Sequence, residues 1–238
     1  MLLNAIIGGR TMEVMFDTGA ACSYFGRDQL TAAGAKFFPT GEKTQSQGVG
    51  GIVEVEICMC EVRLGDITRT VPLMVAPTGA MTPLLGQTFF NPFRYDIDTS
   101  AGIIRFYKKG GSQSEGFDTI NVPFVPVGNE LEVPISINGH SGTAYFDTGA
   151  GCTMLSMNQL RSMGIPVNTD QPMMVSGVGG GSIAFRMRVD RFQVGQVQKN
   201  NFDIVASPSC SFSLIGQDFF KDKRFSIDNE ARVIKFAH

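Results

Sequence analysis

One stretch of the chain is written twice. Phe16-Asp17-Thr18-Gly19-Ala20 returns 130 residues later as Phe146-Asp147-Thr148-Gly149-Ala150, and the same offset carries Leu30 to Leu160 and Gly34 to Gly164. Leu85-Gly86-Gln87 followed by Phe89-Phe90 returns as Ile215-Gly216-Gln217 followed by Phe219-Phe220. Ile97-Asp98 maps on Ile227-Asp228, and Ile103-Ile104 with Phe106 maps on Val233-Ile234 with Phe236. Two glycine-rich tracts, Gly48-Val49-Gly50-Gly51 and Gly177-Val178-Gly179-Gly180, lie 129 apart, a one-residue slip that a loop tip tolerates. The unit is too long for a solenoid repeat. Two copies in 238 residues predict two similar lobes about a pseudo-twofold axis, residues 1–109 and 118–238. The Gly/Ser-rich stretch 110–117 has linker composition and divides them.

Within each copy the patterning is that of strands. Val53-Glu54-Val55-Glu56-Ile57 and Phe185-Arg186-Met187-Arg188-Val189 alternate at period two. Leu131 to Ile137 alternates likewise and runs into Asn138-Gly139, a strong hairpin signal. Helix is expected only in short pieces: Met157 to Met163 capped by Ser156 and ended by Gly164, its counterpart between Gly26 and Gly34, and one turn after Gly86 and Gly216. With 28 glycines, 19 phenylalanines and 11 prolines, the composition suits short strands and tight turns. The expected class is all-β, two barrel-like lobes with short helices.

Several functions are disfavoured. The formal charge is −2 with no long basic run, so no nucleic-acid partner is expected. No stretch approaches 18 consecutive apolar residues, so no membrane insertion is expected. The start, Met1 to Gly8, lacks a basic leader; a cytosolic protein and an exported one whose leader has been removed both fit. The two histidines, His140 beside a turn and His238 at the end, suit no nucleophile–imidazole pair. The five cysteines (Cys22, Cys58, Cys60, Cys152, Cys210) form no CxxC pair, and their odd number argues against a complete disulfide framework. Small buried hydrophobes describe most of them better.

The repeated Asp-Thr-Gly offers a different chemistry. Each carboxylate closes an apolar strand, and the glycine admits a sharp turn with a close backbone approach. If the lobes meet about a twofold axis, Asp17 and Asp147 meet across it. Like charges that close share one proton and split their apparent pKa values. Such a pair can deprotonate a water and protonate a carbonyl without histidine, metal, cofactor or covalent intermediate.

These features resemble the retropepsin-like aspartic proteases, with two retroviral-type units fused in one chain. Both copies carry Asp-Thr-Gly-Ala, a glycine-rich flap, and two apolar residues with Gly before a short helix, 69 residues separating Asp from that Gly each time. The resemblance implies that Asp17 and Asp147 hold an attacking water and that Thr18 and Thr148 interlock the two active-site loops. Gly19 and Gly149, with Ala20 and Ala150, support the carboxylates. Gly48, Val49, Gly50 and Gly51, and Gly177, Val178, Gly179 and Gly180, would be flap tips closing over an extended peptide. It further implies a peptide or protein substrate, no cofactor and a monomer as the active form.

The chain also departs from that pattern. Ala21-Cys22 and Gly151-Cys152 stand where retroviral enzymes carry acids that anchor substrate backbone, so those contacts are in doubt and Cys22 and Cys152 are expected near the cleft. The flaps lack the tyrosine of pepsin-type enzymes. Alanine after each Gly removes a hydroxyl that would stabilise the charged pair, which predicts a pH optimum nearer mild acidity than pepsin's. Asp98 and Asp228 are read as turn starters. A silent peptide binder of the same fold is the alternative; a lipocalin-like carrier leaves the paired Asp-Thr-Gly unexplained.

Overall fold

The computed structural model describes residues 1–79, 81–107 and 120–237. The expected linker and His238 lie outside the described residues. In the first repeat, strands β1 (Leu2–Ile7), β2 (Arg10–Phe16), β3 (Ser23–Gly26), β4 (Phe38–Gly48), β5 (Gly51–Leu64), β6 (Ile67–Ala76) and β7 (Leu84–Leu85) form one sheet. Its order is β1-β2-β7-β3-β6-β5-β4, and β1 also pairs with β5, folding the sheet back on itself. Strands β8 (Arg94–Asp98) and β9 (Ile103–Tyr107) follow.

The second repeat contains β10 (Ile120–Pro123), β11 (Val125–Val127), β12 (Glu130–Ile137), β13 (His140–Phe146), β14 (Met154–Ser156), β15 (Pro172–Gly177), β16 (Gly180–Val194), β17 (Val197–Ser207) and β18 (Leu214–Ile215). Eight of these, β11 to β18, make the matching sheet in the order β11-β12-β13-β18-β14-β17-β16-β15, closed by β12 on β16. Strands β19 (Arg224–Asp228) and β20 (Val233–Phe236) end the chain's regular structure. The helices are α1 (Arg27–Ala33), α2 (Gln87–Phe90), α3 (Met157–Ser162) and α4 (Gln217–Phe220). The protein is therefore all-β with two lobes and short helices, as the repeats predict. Among the described residues no helix is long and apolar enough to cross a membrane.

A third sheet belongs to both repeats. Its order is β10-β20-β19-β8-β9, and β8 pairs antiparallel with β19, Ile97 opposite Phe225 and Tyr95 opposite Ile227. Periodicity places these strands but does not name their neighbours. The partner across the pseudo-twofold axis is chosen by tertiary packing.

Local signals act largely as expected. Asn138 (φ 52°) and Gly139 (φ 93°) make the β12–β13 turn, with His140 exposed beside it. Asp98 accepts from the Ser100 hydroxyl and the Ala101 N–H, and Asp228 from the Glu230 and Ala231 N–H groups, so both carboxylates serve their turns. Gly34, in the left-handed region, ends α1. Ser156 precedes α3, but its side chain makes no capping bond; instead its backbone N–H donates to Ser213 Oγ. Cys58, Cys60 and Cys210 are buried thiols.

The packing beneath the strand ends is matched in the two lobes. Phe16, the last residue of β2, stacks on Phe90 of α2 at 4.3 Å between ring centres and meets Tyr95 of β8 edge-on. Phe146, the last residue of β13, stacks on Phe220 of α4 at 4.7 Å and meets Phe225 of β19 edge-on. All six rings are fully buried. Each aromatic pair adds about 0.5–1.5 kcal/mol beyond its buried area. The backbone one residue further on is thereby fixed from below.

Candidate active site

Asp17 and Asp147 are the residues that follow those two phenylalanines. The Asp17 N–H donates to the Leu85 carbonyl at 3.0 Å and the Asp147 N–H to the Ile215 carbonyl at 3.0 Å, so each loop continues the β2–β7 or β13–β18 pairing by one bond. Each carboxylate then turns back on its own loop. Asp17 Oδ1 accepts from Gly19 N–H (2.9 Å) and Ala20 N–H (3.0 Å). Asp147 Oδ1 accepts from Gly149 N–H (2.7 Å) and Ala150 N–H (3.0 Å). The second oxygen of each is left for the partner.

The loops are tied across the axis by four bonds. Thr18 Oγ1 donates to the Phe146 carbonyl (2.6 Å) and accepts from Thr148 N–H (3.0 Å). Thr148 Oγ1 donates to the Phe16 carbonyl (2.9 Å) and accepts from Thr18 N–H (3.0 Å). Gln87 and Gln217 complete the frame, each donating through Nε2 to the carbonyl of its own repeat's threonine, at 3.0 and 2.8 Å. Both glutamines recur at the offset of the threonines, which is the one sign in the sequence of their place in this frame.

Gly19 and Gly149 are required by contact. A Cβ on Gly19 would stand 2.4 Å from Asp147 Cγ, and one on Gly149 would stand 2.4 Å from Asp17 Cγ. Each glycine thus lies against the other repeat's carboxyl, and the two carboxyls line the same cleft. Both are buried. Burial first, then the charge and hydrogen bond of Asp147, raise the Asp17 carboxyl well above the usual range. Burial also raises Asp147, offset by its bond with Asp17. Both carboxyls are thus harder to ionise than separate, exposed ones.

The glycine-rich tracts form the turns of two long hairpins, β4–β5 and β15–β16, whose tips touch above the carboxyls. Gly50 N–H donates to the Val178 carbonyl at 2.9 Å, and Ser182 Oγ reaches the Val49 carbonyl at 3.3 Å. The tip valines are exchanged between the repeats. Val49 packs against the second repeat's cluster of Met154, Val205 and Leu214, and Val178 against the first repeat's cluster of Tyr24, Val55 and Leu84. Gln47 Nε2 also donates to Ser211 Oγ at 3.0 Å, fastening the first hairpin to the second lobe.

Between tips and carboxyls runs a cleft of about 360 Å³. Its walls are mostly apolar and rich in methionine: Met15, Met74 and Met81 on one side, Met154, Phe212 and Leu214 on the other. Cys22 and Cys152 line it too, in the places expected of them. Burial raises both thiols, which keeps them protonated at neutral pH. Glu130 also faces the cleft, and the repeat gave no signal for it, because the position 130 residues earlier lies outside the sequence. Among the described residues no group of three or more His, Cys, Asp or Glu side chains is placed to hold a metal ion.

The sequence model of the gag-polyprotein putative aspartyl protease family matches the chain twice, over residues 3–92 and 133–222. The matched stretches begin 130 residues apart, at the offset of the repeat. The chain belongs to this family, as a two-repeat member with the aspartic protease-like fold. Comparison with curated proteins gives no significant match.

Proposed function

We propose that this family member is an aspartic endopeptidase whose two catalytic carboxyls, Asp17 and Asp147, come from one chain. The observation that carries the reading is a pair of buried carboxyls, each lying against the glycine of the other's loop and both lining one cleft. In this reading a water sits between the carboxyls. The unprotonated carboxylate takes a proton from the water as it attacks the peptide carbonyl, and the protonated one gives its proton to the carbonyl oxygen. The tetrahedral diol then collapses: one carboxylate recovers a proton from a hydroxyl and the leaving nitrogen receives the other. Bonds and protons balance, and the pair returns to its singly protonated state.

The tips act as flaps. They exclude water and offer backbone N–H and C=O groups to an extended substrate, which adds to them as a strand. The methionine-rich walls take apolar side chains next to the scissile bond, since an unbranched thioether adapts to different shapes. Linkage of the repeats replaces dimerisation by an intramolecular contact, so activity per molecule is independent of protein concentration.

The test is turnover of an unstructured peptide library by the wild type and by Asp17→Asn and Asp147→Asn. Either substitution is expected to lower turnover by more than about a thousandfold, the order lost with a member of a catalytic unit, while circular dichroism stays unchanged. The wild type is expected to be fastest at mildly acidic pH; a maximum well below pH 4 contradicts the raised carboxyls. Retained turnover in the asparagine variants overturns the assignment. Binding without cleavage by the wild type across pH 3 to 8 would favour the silent binder.

A further inference from the structure

Glu130 stands in the cleft for a reason that the chemistry above does not use. It follows the two-residue turn Gly128-Asn129 that joins β11 to β12, where Val127 pairs with Glu130. That turn belongs to the second repeat but is clamped on the first. Asn129 Nδ2 donates to the Ala21 carbonyl at 3.1 Å, and Asn129 Oδ1 accepts from Asn91 Nδ2 at 3.2 Å. The clamp sets Glu130 in the lining of the cleft, beside the turn residue that holds Ala21.

The carboxylate is half-buried, and among the described residues it has no hydrogen-bond or ion-pair partner. Asp17, Asp147 and Glu130 are the charged side chains among the described residues lining the cleft; lysine, arginine and histidine are absent from that lining. Burial first, and then the charge of Asp147, raise Glu130 to about 7. Tyr145 beside it brings no positive charge: its phenol, raised by burial first and then by Glu130 and Glu132, stays neutral.

We infer that Glu130 selects a basic side chain at one position of the substrate, on the Ala21–Cys22 side of the scissile bond. The inference rests on the peptidase reading and adds a polarity to it. An apolar or acidic side chain laid against Glu130 finishes its desolvation and leaves it unpaired. A lysine or arginine there gains a partner in a cleft shielded from water, and discrimination arises as much from the penalty on the wrong residue as from the new pair. The substrate class is an extended peptide with apolar residues at the cut and a single cation to one side.

The test reads ratios within each protein, so a general loss of activity in a variant does not obscure it. A peptide library with Lys, Arg, Gln or Glu scanned along both sides of an apolar core is cut by wild type, Glu130→Gln and Glu130→Lys. Above the raised Glu130 value of about 7, where its carboxyl is charged, the wild type is expected to favour Lys and Arg over Glu by about tenfold or more at one position on one side, the range of a partly shielded charge pair. Glu130→Gln is expected to flatten that ratio and Glu130→Lys to invert it toward Glu. The same library is also passed over immobilised Asp17→Asn protein, so that selection is read by retention even if no peptide is cut. Cleavage or retention indifferent to basic residues, or a preference that survives Glu130→Lys, overturns the inference. Absence of cleavage with basic-selective retention overturns the peptidase reading and leaves the role of Glu130 standing.

Discussion

Thr18 and Thr148 supply each other's hydrogen bonds: each backbone N–H donates to the other's Oγ1 at 3.0 Å, and each hydroxyl donates onward to the carbonyl of the phenylalanine preceding the other's aspartate. Both are buried. Thr148→Val keeps the shape but strands the Thr18 N–H and the Phe16 carbonyl away from water. Each buried orphan costs about 1–3 kcal/mol, so the expected loss is about 2–4 kcal/mol, read as a lower urea midpoint. Thr148→Ser keeps the hydroxyl and loses one methyl, at about 1 kcal/mol. Equal losses in the two variants would show that the cross-links contribute nothing beyond packing.

Gly149 tests the closeness of the two loops. A methyl there meets Asp17 Cγ and Oδ2 at 2.4 Å, and the carboxyl cannot retreat without giving up the Gly19 and Ala20 N–H groups. Gly149→Ala is expected to lower peptide turnover by more than about a hundredfold, since misplacement by about 1 Å costs that much. Stability is expected to fall by about 1–3 kcal/mol from overpacking. Peptide turnover close to wild type would mean that the carboxyls need not lie against the glycines.

The carboxyl pair also sets a pH dependence of folding. Folding raises the Asp17 pKa, chiefly by burial, so the native chain holds this proton more tightly than the unfolded one. The resulting stabilisation is complete below the unfolded value of about 3.9 and is lost as pH climbs through the raised native value. Asp17→Asn removes the titration and keeps an oxygen for the Gly19 and Ala20 amides. Its stability relative to wild type is therefore expected to rise between pH 4 and pH 7, as measured by urea unfolding at several pH values. A difference independent of pH would contradict a buried, proton-sharing pair.

Much of this was legible because the chain repeats itself. The meeting of Asp17 with Asp147 follows from placing two identical turns on a twofold axis, and the interlocking of Thr18 with Thr148 from the family resemblance; the crowding of Gly19 and Gly149 against the opposite carboxyls has no signal in the sequence. What escaped is whatever depends on one repeat meeting the other off that axis. The β8–β19 pairing, the exchange of Val49 and Val178 between lobes, and the Asn129 clamp on Ala21 join residues with no shared local pattern. Ser156 shows the opposite error: a residue type suited to capping stands before α3, yet its side chain makes no cap and its backbone N–H donates to Ser213 Oγ instead.

The hairpin tips can be separated from the chemistry by substitution at Gly50. Its N–H holds the Val178 carbonyl, and a Cβ would stand 2.2 Å from the Gly180 carbonyl oxygen, a backbone atom that cannot swing aside. Gly50→Ala therefore forces the tips apart while leaving the carboxyl pair, the threonine cross-links and the phenylalanine stacks untouched. If the tips serve as flaps, KM for a peptide is expected to rise by about tenfold. Thermal stability should move little, because the residues of this tip are only half-buried. The same variant is expected to lose part of the Val49 and Val178 contacts, so residues that these valines cover become more accessible. Alkylation of Cys152 in the cleft should then quicken, whereas that of buried Cys60 should not. Unchanged KM together with unchanged Cys152 reactivity would show that the tips close without their contact and take no part in covering the cleft.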